Sequence, residues 1–241
     1  MQFRAHRGNS AYAPENTMPA FLLALEEGFE SIETDPNYTK DGVVVLMHDS
    51  TINRTCRNND GSIIERPVIV TDATYEELLQ YDAGLFMGEG FRGTRIPRLE
   101  ELLAIAESKD VVISLDKKIG TDNMDAFFDV IERYKTKTEF SCADTKRIKT
   151  ILERFPNALI NYDGSTTEEE LEEVCSLVKK DNLTVWMYLD KPNFAWLKDR
   201  AKASVENCAR VKKYARLGLA NVTKPADVRE AYLLGADIIE V

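Results

Sequence analysis

The sequence predicts a TIM-type (β/α)8 barrel with an extra antiparallel hairpin strand and a small insertion after it. Three observations predict this fold. The chain has 241 residues, a length at which such barrels form a single domain. Short apolar runs alternate with segments of helical periodicity, which is typical of parallel strands joined by helices. Eight such strands can be counted. We therefore expect one domain over residues 1–241, with an insertion over 50–95.

The chain opens with a strand and a helix. Residues 3–6 have the character of a short strand, and the irregular segment after them leads to Asn16 and Thr17. Either residue can cap a helix that runs to Glu27, because short polar side chains accept hydrogen bonds from the first helical amides. Gly28 then ends the helix.

A hairpin follows the second strand. Glu33 and Asp35 close an apolar run, and residues two apart in a strand point to the same face. The Asp-Gly turn in residues 39–42 returns the chain into the apolar strand 43–47, which ends at His48. The connection is too short for a parallel crossover, so this ninth strand should be antiparallel.

The rest of the chain repeats strands and helices after the insertion, in which Thr74 and Glu77 have the spacing of a capping box. A doubly wound open sheet is the alternative, but no glycine-rich nucleotide loop follows the first strand. The expected barrel strands lie near Phe3, Ile32, Val112, Phe140, Leu159, Val185, Leu217 and Ile238. The expected helices after the insertion cover 97–108, 122–134, 144–155, 167–180, 194–213 (broken) and 225–234.

The composition of the chain limits which kinds of molecule it is expected to bind. The formal net charge is −10, which argues against nucleic acid and against an anionic membrane surface, since both attract basic patches. No run approaches the roughly 20 apolar residues that a membrane helix requires, so we expect no membrane insertion. The four cysteines show neither metal-ligand nor redox spacing, which is typical of a reducing compartment. We therefore expect a cytoplasmic protein.

Three carboxylates at predicted strand ends indicate a metal site. Glu33 and Asp35 follow the second strand, and Asp116 follows the strand near Val112. The carboxyl ends of barrel strands meet at one face, where three such charges would repel one another without a cation. Carboxylate oxygens favour Mg²⁺ or Ca²⁺ over Zn²⁺. We expect a divalent cation there.

The two histidines of the chain, His6 and His48, both fall at predicted strand ends beside acidic residues. Imidazole titrates near neutral pH, so one histidine can accept a proton from an attacking oxygen while the other protonates the leaving oxygen. Arg7 and Lys118 are the positive charges expected around a phosphoryl group. Tyr188 closes a strand and is the aromatic residue best suited to bind substrate. The other aromatic candidates are Tyr162, Trp186 and Trp196.

A series of short motifs runs through about the first half of the chain. The motifs are Ala5-His6-Arg7-Gly8, Pro14-Glu15-Asn16-Thr17, Ala20-Phe21, Ala24, Ile32-Glu33-Thr34-Asp35, Thr39-Lys40-Asp41-Gly42, His48-Asp49, Asn53-Arg54-Thr55, Asp82-Ala83-Gly84 and Ile96-Pro97-Arg98-Leu99-Glu100-Glu101-Leu102. In their order and spacing they resemble the glycerophosphodiester phosphodiesterase family, and they are specific only when taken together. Segment 50–95 is similar to the small insertion of that family.

The resemblance implies hydrolysis of glycerophosphodiesters, as small-molecule substrates, to glycerol 3-phosphate and an alcohol. It implies a divalent cation bound by Glu33, Asp35 and a third acid, with His6 and His48 as the acid-base pair. Either the glycerol hydroxyl or water can be the attacking oxygen. The alternatives are another small phosphodiester, such as a sugar or inositol phosphodiester, and a phosphodiester-binding barrel without turnover.

The chain departs from the family pattern at three places. Asp116 stands where the family usually has Glu, and its side chain is one methylene shorter. Residues 219–222 replace the usual Trp-Thr-Val-Asn, so a wall of the alcohol pocket is changed. The last strand ends at 239–241 without the usual Thr-Asp and proline.

Overall fold

The computed structural model describes residues 1–121, 124–191 and 202–241. The strand order of its main sheet is that of a closed barrel, β1-β12-β11-β10-β9-β8-β7-β2, which confirms the predicted fold class. The strands are β1 (Gln2–Ala5), β2 (Ser31–Thr34), β3 (Pro36–Tyr38), β4 (Val44–Leu46), β5 (Arg57–Asn58), β6 (Tyr81–Asp82), β7 (Val112–Leu115), β8 (Lys137–Cys142), β9 (Leu159–Tyr162), β10 (Leu183–Tyr188), β11 (Arg216–Ala220) and β12 (Ile238–Glu240).

The helices alternate with the barrel strands as the sequence pattern predicts. They are α1 (Met18–Glu26), α2 (Tyr75–Leu78), α3 (Leu99–Ala106), α4 (Asp125–Glu132), α5 (Thr145–Arg154), α6 (Glu168–Leu177), α7 (Val205–Tyr214) and α8 (Pro225–Leu233). All eight expected strand positions are confirmed, and the helices are one to three residues shorter at most ends. Residues 122–123 and 192–201, which include parts of two predicted helices, lie outside the described residues.

The chain divides into two compact units, residues 1–4 with 138–241 and residues 5–137. In the first unit β1 pairs in parallel with β12, β12 with β11, β11 with β10, β10 with β9 and β9 with β8. Its interior contains a buried ion pair between Arg4 and Glu139. The guanidinium of Arg4 lies 4.2 Å from the ring centre of Trp186, and the indole Nε1 of Trp186 donates to Asn161 Oδ1 at 3.0 Å.

The second unit contains the β2–β7 parallel pair and two short antiparallel sheets of two strands each, β3–β4 and β5–β6. The hairpin of β3 and β4 aligns Pro36 with Leu46 and Tyr38 with Val44, which confirms the predicted antiparallel ninth strand. Its ladder continues toward β2, because the Met47 amide donates to the Asp35 carbonyl at 2.9 Å. Met47 therefore lies beside Asp35, and His48 is the next residue along the chain.

The insertion 50–95 contains β5, α2 and β6 and shares an apolar core with β4. Thr74 and Glu77 form the predicted capping box at the start of α2. The core consists of Val45, Met47, Ile52, Cys56, Ile64, Val70, Ala73, Leu78, Ala83 and Ile96. Across the parts of the chain that the structure describes, every helix is too short or too polar to span a membrane.

Candidate active site

Two carboxylates at the end of β2 are almost fully buried, with Glu33 7% and Asp35 2% exposed. Asn16 holds Asp35 in place: its Nδ2 donates to Asp35 Oδ2 at 2.8 Å, and its Oδ1 accepts from Thr34 Oγ1 at 2.8 Å. Of the two residues predicted as possible caps of α1, Asn16 turns toward β2 instead. Thr17 occupies the N-cap position, and its hydroxyl donates to Pro14 O rather than capping the helix.

Arg7 contacts both Glu33 and Asp35. Its backbone amide donates to Glu33 Oε2 at 2.9 Å, and its Nε lies 3.3 Å from Asp35 Oδ2. Its Nη1 donates to Glu15 Oε1 at 2.8 Å. Burial alone would lower the pKa of Arg7, but the charges of Asp35, Glu15 and Glu33 outweigh burial and raise it. Arg7 therefore remains a fixed positive charge beside Glu33 and Asp35.

Asp116 follows β7, and its backbone amide donates to the Thr34 carbonyl at 3.0 Å. The Lys118 ammonium lies 3.8 Å from Asp35 Oδ1 and 3.9 Å from Asp116 Oδ2. Asp116 and Asp35 thus share one cationic neighbour, as their positions at the ends of adjacent parallel strands predict. Lys117 also lies near Asp116, with 3.9 Å between its Nζ and Oδ1.

The two histidines are each next to a carboxylate. His6 directly follows β1, and its Nε2 lies 4.0 Å from Glu33 Oε2. His48 Nδ1 is hydrogen-bonded to Asp49 Oδ1 at 2.6 Å. Both imidazoles are part exposed, 43% for His6 and 33% for His48. They are therefore accessible to a small molecule, and the hydrogen bond to Asp49 limits how the His48 ring turns.

The acidic residues fit a divalent cation by their chemistry. Over residues 1–121, 124–191 and 202–241, no three histidine, cysteine or acidic side chains are close enough to form a metal-binding group. Positively charged side chains lie beside the acids: Arg7 Nε is 3.3 Å from Asp35 Oδ2, and the Lys118 ammonium is within 4 Å of both Asp35 and Asp116. The oxygen donors of these carboxylates suit Mg²⁺ or Ca²⁺, whereas the charges that they meet in this arrangement are those of Arg7 and Lys118.

The aromatic candidates belong to the unit of residues 138–241. Tyr188 ends β10, and its hydroxyl lies 3.5 Å from Asp163 Oδ2. Its role in substrate binding stays a prediction. Tyr162 and Trp186 are buried, 3% and 5% exposed, so they have the surroundings of core residues. Trp196 lies outside the described residues.

Glu15, Asp49 and Arg54 lie outside the predicted set, as Asn16 does, and also take part in this cluster. Glu15 accepts hydrogen bonds from both Arg7 and Arg54, and Arg54 also binds Asp49, the partner of His48. The sequence contained one signal for them, because Glu15, Asp49 and Arg54 all stand in the family motifs. Those motifs gave no indication that the side chains meet.

Comparisons with known proteins indicate the family of the chain. The sequence model of the glycerophosphoryl diester phosphodiesterase family matches residues 6–216, a range that contains every predicted site residue. A glycerophosphodiester phosphodiesterase of Caldanaerobacter subterraneus is 43% identical over 116 residues, 48% of this chain and 44% of that protein. Glycerophosphodiester phosphodiesterase 1 of Bos taurus is 36% identical over 116 residues, 47% of this chain and 33% of that protein. The matched part thus spans less than half the length of these relatives.

Solved structures show the same fold over the whole chain. A phosphodiesterase of Oleispira antarctica, in complex with the product sn-glycerol-3-phosphate, has a TM-score of 0.80 at 20% identity and covers 100% of this chain and 92% of that one. The glycerophosphodiester phosphodiesterase of Thermotoga maritima has a TM-score of 0.70 at 23% identity, covering 99% and 92%. With the family match over residues 6–216, the chain belongs to the glycerophosphoryl diester phosphodiesterase family.

Proposed function

We propose that this protein hydrolyses glycerophosphodiesters to glycerol 3-phosphate and an alcohol, by acid-base catalysis with His6 and His48 and with a divalent cation. The observation that carries the proposal is that both histidines of the chain lie in one compact unit, each next to a carboxylate. Family membership supports the reaction class. The product bound to the Oleispira antarctica phosphodiesterase is sn-glycerol-3-phosphate, which supports the choice of substrate.

The side chains of the cluster can meet each need of the reaction. The guanidinium of Arg7 and the ammonium of Lys118 balance the charge of the phosphoryl oxygens. One imidazole accepts the proton of the attacking oxygen, and the other donates a proton to the departing alcohol. Asp49 is held as a carboxylate beside His48: hydrogen bonds from Arg54 first and from His48 next outweigh burial and hold its pKa at about 2. That carboxylate stabilises the imidazolium that forms when His48 takes a proton.

Glu33, Asp35 and Asp116 are the residues that would hold the cation. When bound, a divalent cation polarises the phosphoryl oxygens and balances the charge that develops on them. Asp35 and Glu33 are almost buried, whereas the Asp116 side chain is 25% exposed. Asp116 is thus the ligand most open to water, and it stands where the family usually has the longer Glu.

Chelation and two histidine substitutions test the proposal. We expect EDTA to abolish turnover of glycerophosphocholine and excess Mg²⁺ or Ca²⁺ to restore it. His6→Ala and His48→Ala should each lower kcat by about 10²- to 10⁴-fold, the usual contribution of a general acid or base. Full turnover in either variant, or in the chelated protein, would contradict the corresponding role.

A panel of glycerophosphodiesters, sugar phosphodiesters and inositol phosphodiesters, compared by kcat/KM, identifies the substrate. A phosphodiester-binding barrel without turnover is the second candidate. The observation that favours it is the Lys118 ammonium, which lies within 4 Å of both Asp35 and Asp116 and offsets part of their negative charge without a metal. In that case glycerophosphodiesters would raise Tm, while no added metal would produce cleavage.

A further inference from the structure

Arg54 binds two carboxylates at once. Its Nη1 and Nη2 donate to the two oxygens of Glu15, both at 2.8 Å. Its Nε donates to Asp49 Oδ2 at 2.6 Å, and its Nη2 also reaches Asp49 Oδ1 at 3.2 Å. Two carboxylates therefore share one planar guanidinium, each through two hydrogen bonds. A lysine could not reproduce this arrangement, because an ammonium has no fork of fixed donors.

The backbone around Arg54 is held by the core of the insertion. Its neighbours Ile52 and Cys56 are fully buried, and Thr55 is 3% exposed. The side chain of Asn53 donates to the carbonyls of residues 64 and 66 and accepts from the amide of residue 68, each at 2.9 Å. The turn that carries Arg54 is thus fixed on both sides, so no further backbone entropy is lost when its side chain is ordered.

The chemistry of Asp49 determines which nitrogen of His48 carries the proton. Because a carboxylate only accepts hydrogen bonds, the 2.6 Å contact with Asp49 requires a proton on His48 Nδ1. In the neutral imidazole the lone pair then lies on Nε2. The orientation of the Asp49 carboxylate is set by Arg54, which binds both of its oxygens.

We propose that Arg54 is a positioning residue: by fixing Asp49 it keeps the proton of His48 on Nδ1 and leaves Nε2 free to exchange a proton with the substrate. The inference rests on the proposed function, in which His48 performs that exchange. Through Glu15 the same guanidinium is connected to Arg7, whose Nη1 donates to Glu15 Oε1 at 2.8 Å. Arg54 thus links the histidine with the residue proposed to bind the phosphoryl group.

Arg92 provides the matched control. It lies in the same insertion, and its side chain is 43% exposed, against 47% for Arg54. It forms a similar double contact with Glu89, from Nε and from Nη2, both at 2.7 Å. Glu89 is 76% exposed and adjoins no histidine. If activity falls only because an exposed arginine–carboxylate pair is lost, it should therefore fall when either Arg54 or Arg92 is replaced.

The first experiment measures kinetics in Arg54→Ala, Arg54→Lys and Arg92→Ala. For both Arg54 variants we expect kcat to fall roughly 10- to 100-fold, the usual effect of removing an outer partner of a functional group. Guanidinium ion at millimolar concentration should restore part of the loss in Arg54→Ala, because the side chain leaves a space of the same shape. Arg92→Ala should keep wild-type kcat and not respond to guanidinium. Wild-type kcat in Arg54→Lys, or equal losses in Arg54→Ala and Arg92→Ala, would overturn the inference.

The second experiment does not depend on turnover. With two histidines in the chain, ¹⁵N spectra of the imidazoles are simple, and His6→Gln assigns the signals. We expect the Nδ1–H tautomer of His48 in the wild type and a shift toward Nε2–H in Arg54→Lys. The same tautomer in both proteins would overturn the inference. If the wild type cleaves no phosphodiester, the proposed function fails, and the tautomers alone still decide the role of Arg54.

Discussion

Asn16 shows how much of the cluster depends on a residue that has no chemical step to perform. It is 2% exposed and adopts the left-handed backbone conformation, with φ +54°, which costs most residues about 1–2 kcal/mol. Asparagine adopts it more readily because its short polar side chain can bond locally. Here the amide bonds Asp35 Oδ2 and the Thr34 hydroxyl. Asn16 also donates its backbone amide to the Arg7 carbonyl at 2.9 Å, so one residue fixes both the carboxylate and Arg7.

Asn16→Ala tests this role. The substitution removes the buried side-chain hydrogen bonds to Thr34 and Asp35 and leaves alanine, which disfavours positive φ, at this position. We expect the free energy of unfolding to fall by about 2–3 kcal/mol. The concentration of Mg²⁺ needed for half-maximal activity should rise roughly tenfold, since Asp35 loses a partner that orients it.

Asn16→Gly is the matched control for Asn16→Ala. It loses the same side-chain bonds but tolerates the backbone conformation. It should therefore show the same change in Mg²⁺ requirement with a smaller loss of stability, as measured by urea titration. An unchanged Mg²⁺ requirement in both variants would mean that Asn16 does not orient a metal ligand.

The hairpin of β3 and β4 is the element that returns the chain to Asp35 just before His48. Its turn closes through the Gly42 amide, which donates to the Thr39 carbonyl at 3.0 Å. Gly42 has φ +78°, and a Cβ there would meet no atom within 4 Å. The turn is tied to α2, because Asp41 Oδ1 accepts from Thr39 Oγ1 at 2.6 Å and from the Tyr75 amide at 3.0 Å. The strand leading to His48 is thus fixed at both ends.

Gly42→Ala separates backbone strain from steric clash in this hairpin. The added methyl group has open space, so we expect only the cost of positive φ, about 1–2 kcal/mol of unfolding free energy. Gly90→Ala is the control, because a Cβ at Gly90 also meets nothing within 4 Å and its φ lies outside the positive range. Its stability should match the wild type in urea denaturation. Equal effects of the two substitutions would show that the turn at Gly42 carries no strain.

For the molecule as a whole, the spacing of apolar residues predicted the strands and helices, because buried positions recur at a regular interval along each element. The eight strand positions and the antiparallel hairpin followed from periods of two and 3.6 residues and from loop length. The position of Asp116 beside Asp35 followed from the parallel order of β2 and β7. These features depend on the backbone, which the pattern of apolar residues largely determines.

The side-chain network could not be predicted in the same way. Arg54 meets Glu15 from 39 positions away, and Asn16 meets Asp35 from 19 positions away. Such contacts depend on rotamers and on where an irregular loop lies, and neither leaves a periodic signal. Asn16 also had a plausible local role as a helix cap, which its tertiary contacts replaced. The single-domain expectation for 1–241 and the cytoplasmic location stay predictions.

The molecule carries 41 acidic and 31 basic side chains. We therefore expect the protonation state of its carboxylates to govern its stability in acid. Asp82 is a buried example, with 2% of its surface exposed. Its oxygens accept from the amides of Gly84 at 2.8 Å, Leu85 at 2.9 Å and Gly93 at 2.6 Å. Burial alone would raise the pKa of Asp82, but these hydrogen bonds outweigh burial and lower it. The pKa values of Asp49 and Asp227 are both lowered to about 2, first by hydrogen bonds from Arg54 and Lys191 respectively.

These lowered pKa values determine the pH dependence of folding. A carboxylate whose pKa is lower in the folded state binds protons more weakly there, so it stabilises the fold above its unfolded pKa of 3.8. That contribution is lost as the pH falls through the folded pKa of about 2. We therefore expect the unfolding free energy to decline steeply between about pH 4 and pH 2, as measured by urea titrations at each pH. Asp82→Asn should be less stable than the wild type at pH 6 and should decline less steeply below pH 4, because the titrating group is gone. Parallel curves for the two proteins below pH 4 would show that Asp82 does not contribute to the acid sensitivity of the fold.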